Sequence, residues 1–164
     1  MGLFNTASAL VSNNSQWEAT PELSAADGAA AVPVNRSVLI IDDDQQFLDG
    51  ISPAIRAAGF TVLTSTSGPK GLNLLRYAPH DFCALLLDYN MPGFDGDQTL
   101  NHARKLMPSI KVIGITGLQP AELSATYRDG VDELVLKPFS NSELIALLHV
   151  LVNGDPATAP PPAS

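Results

Sequence analysis

The sequence predicts an α/β domain built on a parallel sheet with helices on both faces. Short apolar runs alternate five times with stretches whose apolar residues recur at helical spacing. Two of those runs, 38–41 and 82–87, are apolar without interruption, as strands buried on both faces must be. Acidic, hydroxyl and turn residues stand just after the runs, where such a sheet gathers its chemistry.

Each element follows from its own pattern. Residues 38–41 are a strand followed by acids. Residues 46–58 carry Phe47, Leu48, Ile51, Ile55 and Ala58 at helical spacing, and Gly59 ends that helix as a C-terminal cap. A second strand is expected over 60–63 and a second helix, with Leu72 and Leu75 inward, over 69–77. The third strand spans 82–87, the third helix 97–107 and the fourth strand 110–115. A weaker helix at 120–128 leads to a fifth strand at 131–136. The last helix covers 140–152, with Ser140 as its N-cap and Glu143 completing a capping box.

Outside this unit the composition changes. Residues 1–36 are rich in Ser, Ala, Asn and Gly without sustained periodicity and read as a disordered extension. They lack the basic and apolar regions of a secretory signal, so the expected location is cytoplasmic. Met1 to Thr6 fits the N-myristoylation pattern, a short motif that arises readily by chance. Residues 153–164 form a Pro-rich tail that cannot continue a helix. The domain is therefore expected at 37–152.

The chain has 164 residues and a net charge of −8. This acidic balance argues against a nucleic-acid partner. No apolar run approaches the roughly 20 residues that span a bilayer, and the single cysteine, Cys83, excludes an internal disulfide framework. Half of the net charge sits on Asp42, Asp43, Asp44 and Asp88.

Those acids fall where the sheet predicts function. The first strand ends in Asp42, Asp43 and Asp44, the third in Asp88, the fourth in Thr116 and Gly117, and the fifth in Lys137 and Pro138. Carboxylates gathered in one cleft repel unless they share a cation. With only hard oxygen donors at hand, Mg²⁺ fits better than a transition metal. Lys137 and Thr116 are suited to hold phosphoryl oxygens, and a carboxylate set against Mg²⁺ and an ammonium can be the nucleophile of an acyl-phosphate chemistry. Asp44 and Asp95 are read as helix N-caps, Cys83 as a small core residue, and His80, His102 and His149 as surface residues.

The runs VLIIDDD, LLLDYNMPGFDG, GITG and LKPF, in that order on the right strand ends, give the chain its likeness. It resembles the receiver domain of two-component response regulators over 37–152. The resemblance implies a flavodoxin-like, doubly wound (βα)5 sheet of order 2-1-3-4-5. It makes Asp88 the phosphoacceptor, Asp43 a direct Mg²⁺ ligand and Asp42 the holder of a metal-bound water. Asn90 would supply its backbone carbonyl to the metal. Thr116 becomes the switch hydroxyl, and Lys137 the phosphate-binding lysine, followed by a cis bond to Pro138. The implied partners are a histidine kinase or His-phosphotransfer protein and a downstream target protein, with homodimerisation on phosphorylation a further expectation. The chain reads as a stand-alone receiver with output by protein contact and no enzymatic activity beyond its own phosphorylation and dephosphorylation.

There are departures. Leu134 stands where the family commonly has a Tyr or Phe, Gly117 where it often has Ala, and Leu118 at an often polar place near the phosphate entrance. Leu134 keeps open a phosphorylation-independent interaction module. A haloacid-dehalogenase-type hydrolase is the more distant rival: Asp42 and Asp44 fit its Asp-x-Asp pattern, but Gln46 stands where it needs Thr or Val.

Overall fold

The computed structural model describes residues 36–78 and 82–154. All of the expected extension but Arg36, its N-myristoylation pattern, His80 and nearly all of the Pro-rich tail lie outside them. The described chain alternates β1 (Ser37–Ile41), α1 (Gln45–Ala57), β2 (Thr61–Ser65), α2 (Gly68–Tyr77), β3 (Phe82–Asp88), α3 (Gly96–Leu106) and β4 (Lys111–Thr116). A short 3-10 turn (Pro120–Glu122), α4 (Ala125–Gly130), β5 (Glu133–Leu136) and α5 (Asn141–Asn153) complete it. All four strand pairings are parallel, in the order β2-β1-β3-β4-β5.

Alternation along the strands divides the interior in two. Leu39, Ile41, Leu85, Leu87 and Val112 meet Leu72 and Leu75 of α2, Leu100 of α3 and Tyr127 of α4. Val38, Ile40, Ala84, Leu86, Ile113 and Ile115 face Leu48, Ile51 and Ile55 of α1, and Leu144 and Leu148 of α5. A strand clothed on both sides has no polar face to show, so β1 and β3 read as unbroken apolar runs.

Helix ends follow local chemistry. Asp44 caps α1 by accepting from the Gln46 and Phe47 N–H groups, and Asp95 caps α3 through the Gln98 N–H. Gly59, at φ 90°, lets the chain turn out of α1 where an L side chain would be strained. Ser140 and Glu143 form the capping box of α5.

Several expectations change, among them the start of β5, which is Glu133 rather than residue 131. The helix expected over 120–128 is two pieces, because Leu123 and Ser124 take extended backbone and Leu123 is buried. Ser124 then caps a new helix by accepting from the Tyr127 N–H. The second strand continues to Ser65 because pairing with β1 runs from Ser37↔Thr61 to Ile41↔Ser65, and polar residues hide that extension from an apolar-run reading. His149 is not a surface residue: it is 3% exposed, its ring 5.0 Å from that of Phe60, with no hydrogen-bond partner for Nε2 among the described residues. His102 is exposed, and Cys83 is half-buried with its thiol near the Ser37 carbonyl.

Candidate functional site

Parallel strands bring their carboxyl ends to one edge, and the pairing Ile41↔Leu87 sets the residues that follow, Asp42 and Asp88, side by side. Asp42 is 1% exposed and Asp88 5%. Such burial of carboxylates is rare without partners. Asp42 has two: one oxygen accepts from the Asp44 N–H at 2.9 Å, the other from Lys137 Nζ at 2.7 Å.

Lys137 reaches across from the end of β5. Its own N–H donates to the Thr116 carbonyl at 2.7 Å, and its peptide bond to Pro138 is cis. Its ammonium lies 2.9 Å from Asp88 Oδ1 and 4.4 Å from the centre of the Phe47 ring. Phe47 in turn meets Phe139 edge-on, so the lysine has carboxylates on one side and an aromatic face on another.

Asp42, Asp43 and Asp88 each offer a carboxylate oxygen within 4.8 Å of the others. Asp43 is exposed while its two neighbours are buried, which leaves the cluster open to solvent on that side. One ammonium offsets only part of three negative charges, and every donor is a hard oxygen. The set fits a small divalent cation such as Mg²⁺.

Electrostatics at the two central groups oppose one another. Burial pushes the Asp88 carboxyl above its ordinary range and the Asp42 charge adds to that, while the Lys137 hydrogen bond and the Asn90 N–H pull it back. Burial alone would lower the Lys137 ammonium, but its bonds to Asp42 and Asp88 outweigh it and the shift is upward. The lysine is therefore held charged beside a carboxylate whose charge is only partly compensated.

The other expected residues lie at or near the ends of β3, β4 and β5. Thr116 is fully buried, and its hydroxyl accepts from the Leu118 N–H at 3.1 Å. Gly117 and Asn90 are exposed, and Leu118 is half-buried against the core. Leu134 packs on the α2–α4 side of the sheet. Asp44, which a dehalogenase pattern would need in its chemistry, is committed to capping α1.

Two neighbours of these groups escaped the sequence reading. Phe47 looked like one more core residue of α1, and only the fold places its ring beside Lys137. Tyr127 sits in a weakly periodic stretch. The signal that could have found it is Gly114, a glycine inside an apolar strand, which marks a place where something large approaches closely.

A doubly wound sheet with an acidic cluster and a lysine at its carboxyl edge defines a class of α/β domains that carry their site at the strand ends. Residues 38–149 match the model of the response regulator receiver domain, and the chain belongs to that family. Curated relatives include the cell cycle transcriptional regulator CtrA of Caulobacter vibrioides, 29% identical over 116 residues, covering 70% of this chain and 49% of the relative. The cell cycle response regulator CtrA of Brucella ovis is 30% identical over 118 residues, with the same shares covered. The chain thus spans about half the length of these relatives. Among solved structures, a response regulator receiver domain protein from Clostridium thermocellum superposes with a TM-score of 0.67 at 25% identity, covering 72% of this chain and 94% of that one. A CheY-like receiver domain protein from Methanospirillum hungatei gives 0.67 at 26%, covering 73% and 94%.

Proposed function

We propose that this chain accepts a phosphoryl group on Asp88 from the phosphohistidine of a histidine kinase or His-phosphotransfer protein. The observation that carries this is the placement of Asp88: a buried carboxylate at the end of β3, 2.9 Å from the Lys137 ammonium and within 4.8 Å of two further carboxylates. In the transfer, an Asp88 oxygen attacks phosphorus and the N–P bond to the donor imidazole breaks. The bonding electrons stay with that nitrogen, which takes up a proton, and an acyl phosphate remains on Asp88.

Lys137 releases part of its hold on the carboxylates to neutralise a phosphoryl oxygen. Asp42, Asp43, Asp88 and the Asn90 backbone carbonyl would hold Mg²⁺, which when bound supplies charge neutralisation and orients phosphoryl oxygens. Thr116 exchanges its bond with Leu118 for one to the phosphoryl group, drawing the loop after β4 inward. The changed surface is then read by a downstream protein, with the phosphorylated form free to self-associate. The setting is the cytoplasm; none of the described helices is long and apolar enough to cross a membrane.

Incubation with acetyl phosphate and Mg²⁺, followed by intact mass measurement, tests this reading. One added phosphoryl group is expected. No adduct on folded protein would favour a phosphorylation-independent interaction module instead.

A further inference from the structure

Among the described residues, Tyr127 is the largest side chain that is completely buried. Its ring lies in a slot cut by two glycines. A Cβ added to Gly114 of β4 would fall 2.9 Å from Tyr127 Cε1 and 3.1 Å from its hydroxyl oxygen. One added to Gly96 would fall 2.9 Å from Cε2 on the other ring edge, and 2.8 Å from the Asp88 carbonyl oxygen. Real Cβ atoms do not approach so closely, so both positions must be bare for the ring to fit. Leu134 completes the wall on the β5 side: its Cδ1 is 3.1 Å from the same point on Gly114. An aromatic ring at 134 would compete for space with one at 127.

The bonds made from this slot point at the phosphoacceptor. The Tyr127 hydroxyl donates to the Leu87 carbonyl, immediately before Asp88. Immediately after Asp88, the Tyr89 ring stands edge-on to Tyr127 at 4.8 Å, and its hydroxyl accepts the Ser124 N–H at 3.2 Å. Ser124 caps α4 by accepting the Tyr127 N–H at 3.0 Å and donates its own hydroxyl to Asp97 of α3. Both residues flanking Asp88 are thereby fastened to the start of α4.

Resting on the phosphoacceptor reading above, we infer that Tyr127 is a positioning residue of that site, tying α4 to the backbone on both sides of Asp88 so that the state of Asp88 is felt at α4. β5, whose Leu134 offers no rotating ring, is not the reporter. The physical path is short. Gly114 and Thr116 lie two apart on β4 and share the face toward α4, so drawing Thr116 toward a phosphoryl group shifts one wall of the slot. Charge reaches the same ring: burial first, and the Asp88 carboxylate next, hold the Tyr127 phenol protonated, so its hydroxyl acts as a donor throughout. A ring packed this tightly cannot stay still while its wall and its acceptor carbonyl move.

Beryllofluoride with Mg²⁺, a stable mimic of the aspartyl phosphate, allows a direct test on the ¹⁵N-labelled full chain. In the wild type, amide resonances around Asp88, Thr116 and Lys137 should move on saturation, and those of 124–130 should move with them. In Tyr127→Phe, which keeps the ring and loses only the hydroxyl, the site resonances should still saturate while the α4 shifts shrink at least about twofold. Tyr89→Phe removes the second tie and should reduce them as well, covering the case in which Tyr127→Phe folds poorly. Full-sized α4 shifts in both variants would overturn the inference and leave Tyr127 a core residue only. Wild-type site resonances that do not respond would overturn the phosphoacceptor reading instead.

Discussion

Asp88 and Asp132 sit at opposite ends of the same sheet, each against positive charge, and they are held in opposite ways. Asp132, just before β5, accepts from Arg104 at 2.8 Å and from the Val112 N–H at 2.8 Å, with Lys111 at 3.6 Å. Burial alone would raise its carboxyl, but the Arg104 hydrogen bond, the Val112 N–H and the two cations outweigh that, and it lies below its ordinary range. Asp88 has one ammonium, deeper burial and a second carboxylate as neighbour, and its carboxyl lies above. A carboxylate that only fastens strands is surrounded by donors. Asp88, the phosphoacceptor of the function proposed above, is left with charge still to be compensated, and on that proposal the residual cost belongs to the chemistry rather than to the fold.

The widest separation of the two should come from neutralising each in turn. Asp88→Asn should abolish labelling by acetyl phosphate, a loss of at least about a hundredfold, while its urea midpoint stays at or above the wild-type value because a repulsion with Asp42 is gone. A lower midpoint would mean that Asp88 is a fastening residue like Asp132. Asp132→Asn should do the reverse, costing about 1–2 kcal/mol of unfolding free energy with labelling unchanged.

The pH dependence sharpens the contrast. A carboxyl lowered in the fold stabilises above its unfolded value, near 3.9, and loses that contribution as pH falls through the lower folded value. The stability gap between wild type and Asp132→Asn should therefore be constant from about pH 7 to 5 and close below about pH 4. A gap that persists into strong acid would remove the ion pair as its cause.

The smallest effect belongs to a third titrating group. Burial first, and the charge of Arg36 second, lower the pKa of His149, so it is neutral in the fold and gains a proton on unfolding in mild acid. Stability from this source is present above the unfolded value, near 6.5, and declines below it. His149→Phe, set against Phe60, should flatten the decline between about pH 7 and 5 by up to about 1 kcal/mol; parallel curves for the two proteins would show that His149 does not titrate with unfolding.

Much of this was legible in the sequence, and the gaps have physical reasons. Unbroken apolar runs announced β1 and β3 because both faces are covered, and the acids placed just past them are the ones the fold brings together. The ends of β2 and β5 were blurred because Thr64, Ser65 and Asp132 owe their places to pairing and ion contacts rather than to periodicity. The break at Leu123 and Ser124 was hidden because Ser124 is held by Tyr89 and Asp97, residues far off in sequence. His149 misled for the same reason: its burial is set by Phe60 across the core. Phe47 and Tyr127 acquire their roles only when α1 and α4 are docked on the sheet.

On the proposed function, Asp88 is the residue that carries the phosphoryl group. Reduction of the acetyl phosphate-treated protein with borohydride converts an aspartyl phosphate to homoserine, which peptide mass mapping then locates. Homoserine at position 88, dependent on Mg²⁺ and absent without phosphodonor, is the expected result. Homoserine at another aspartate, or none in a folded and Mg²⁺-supplied sample, would contradict it.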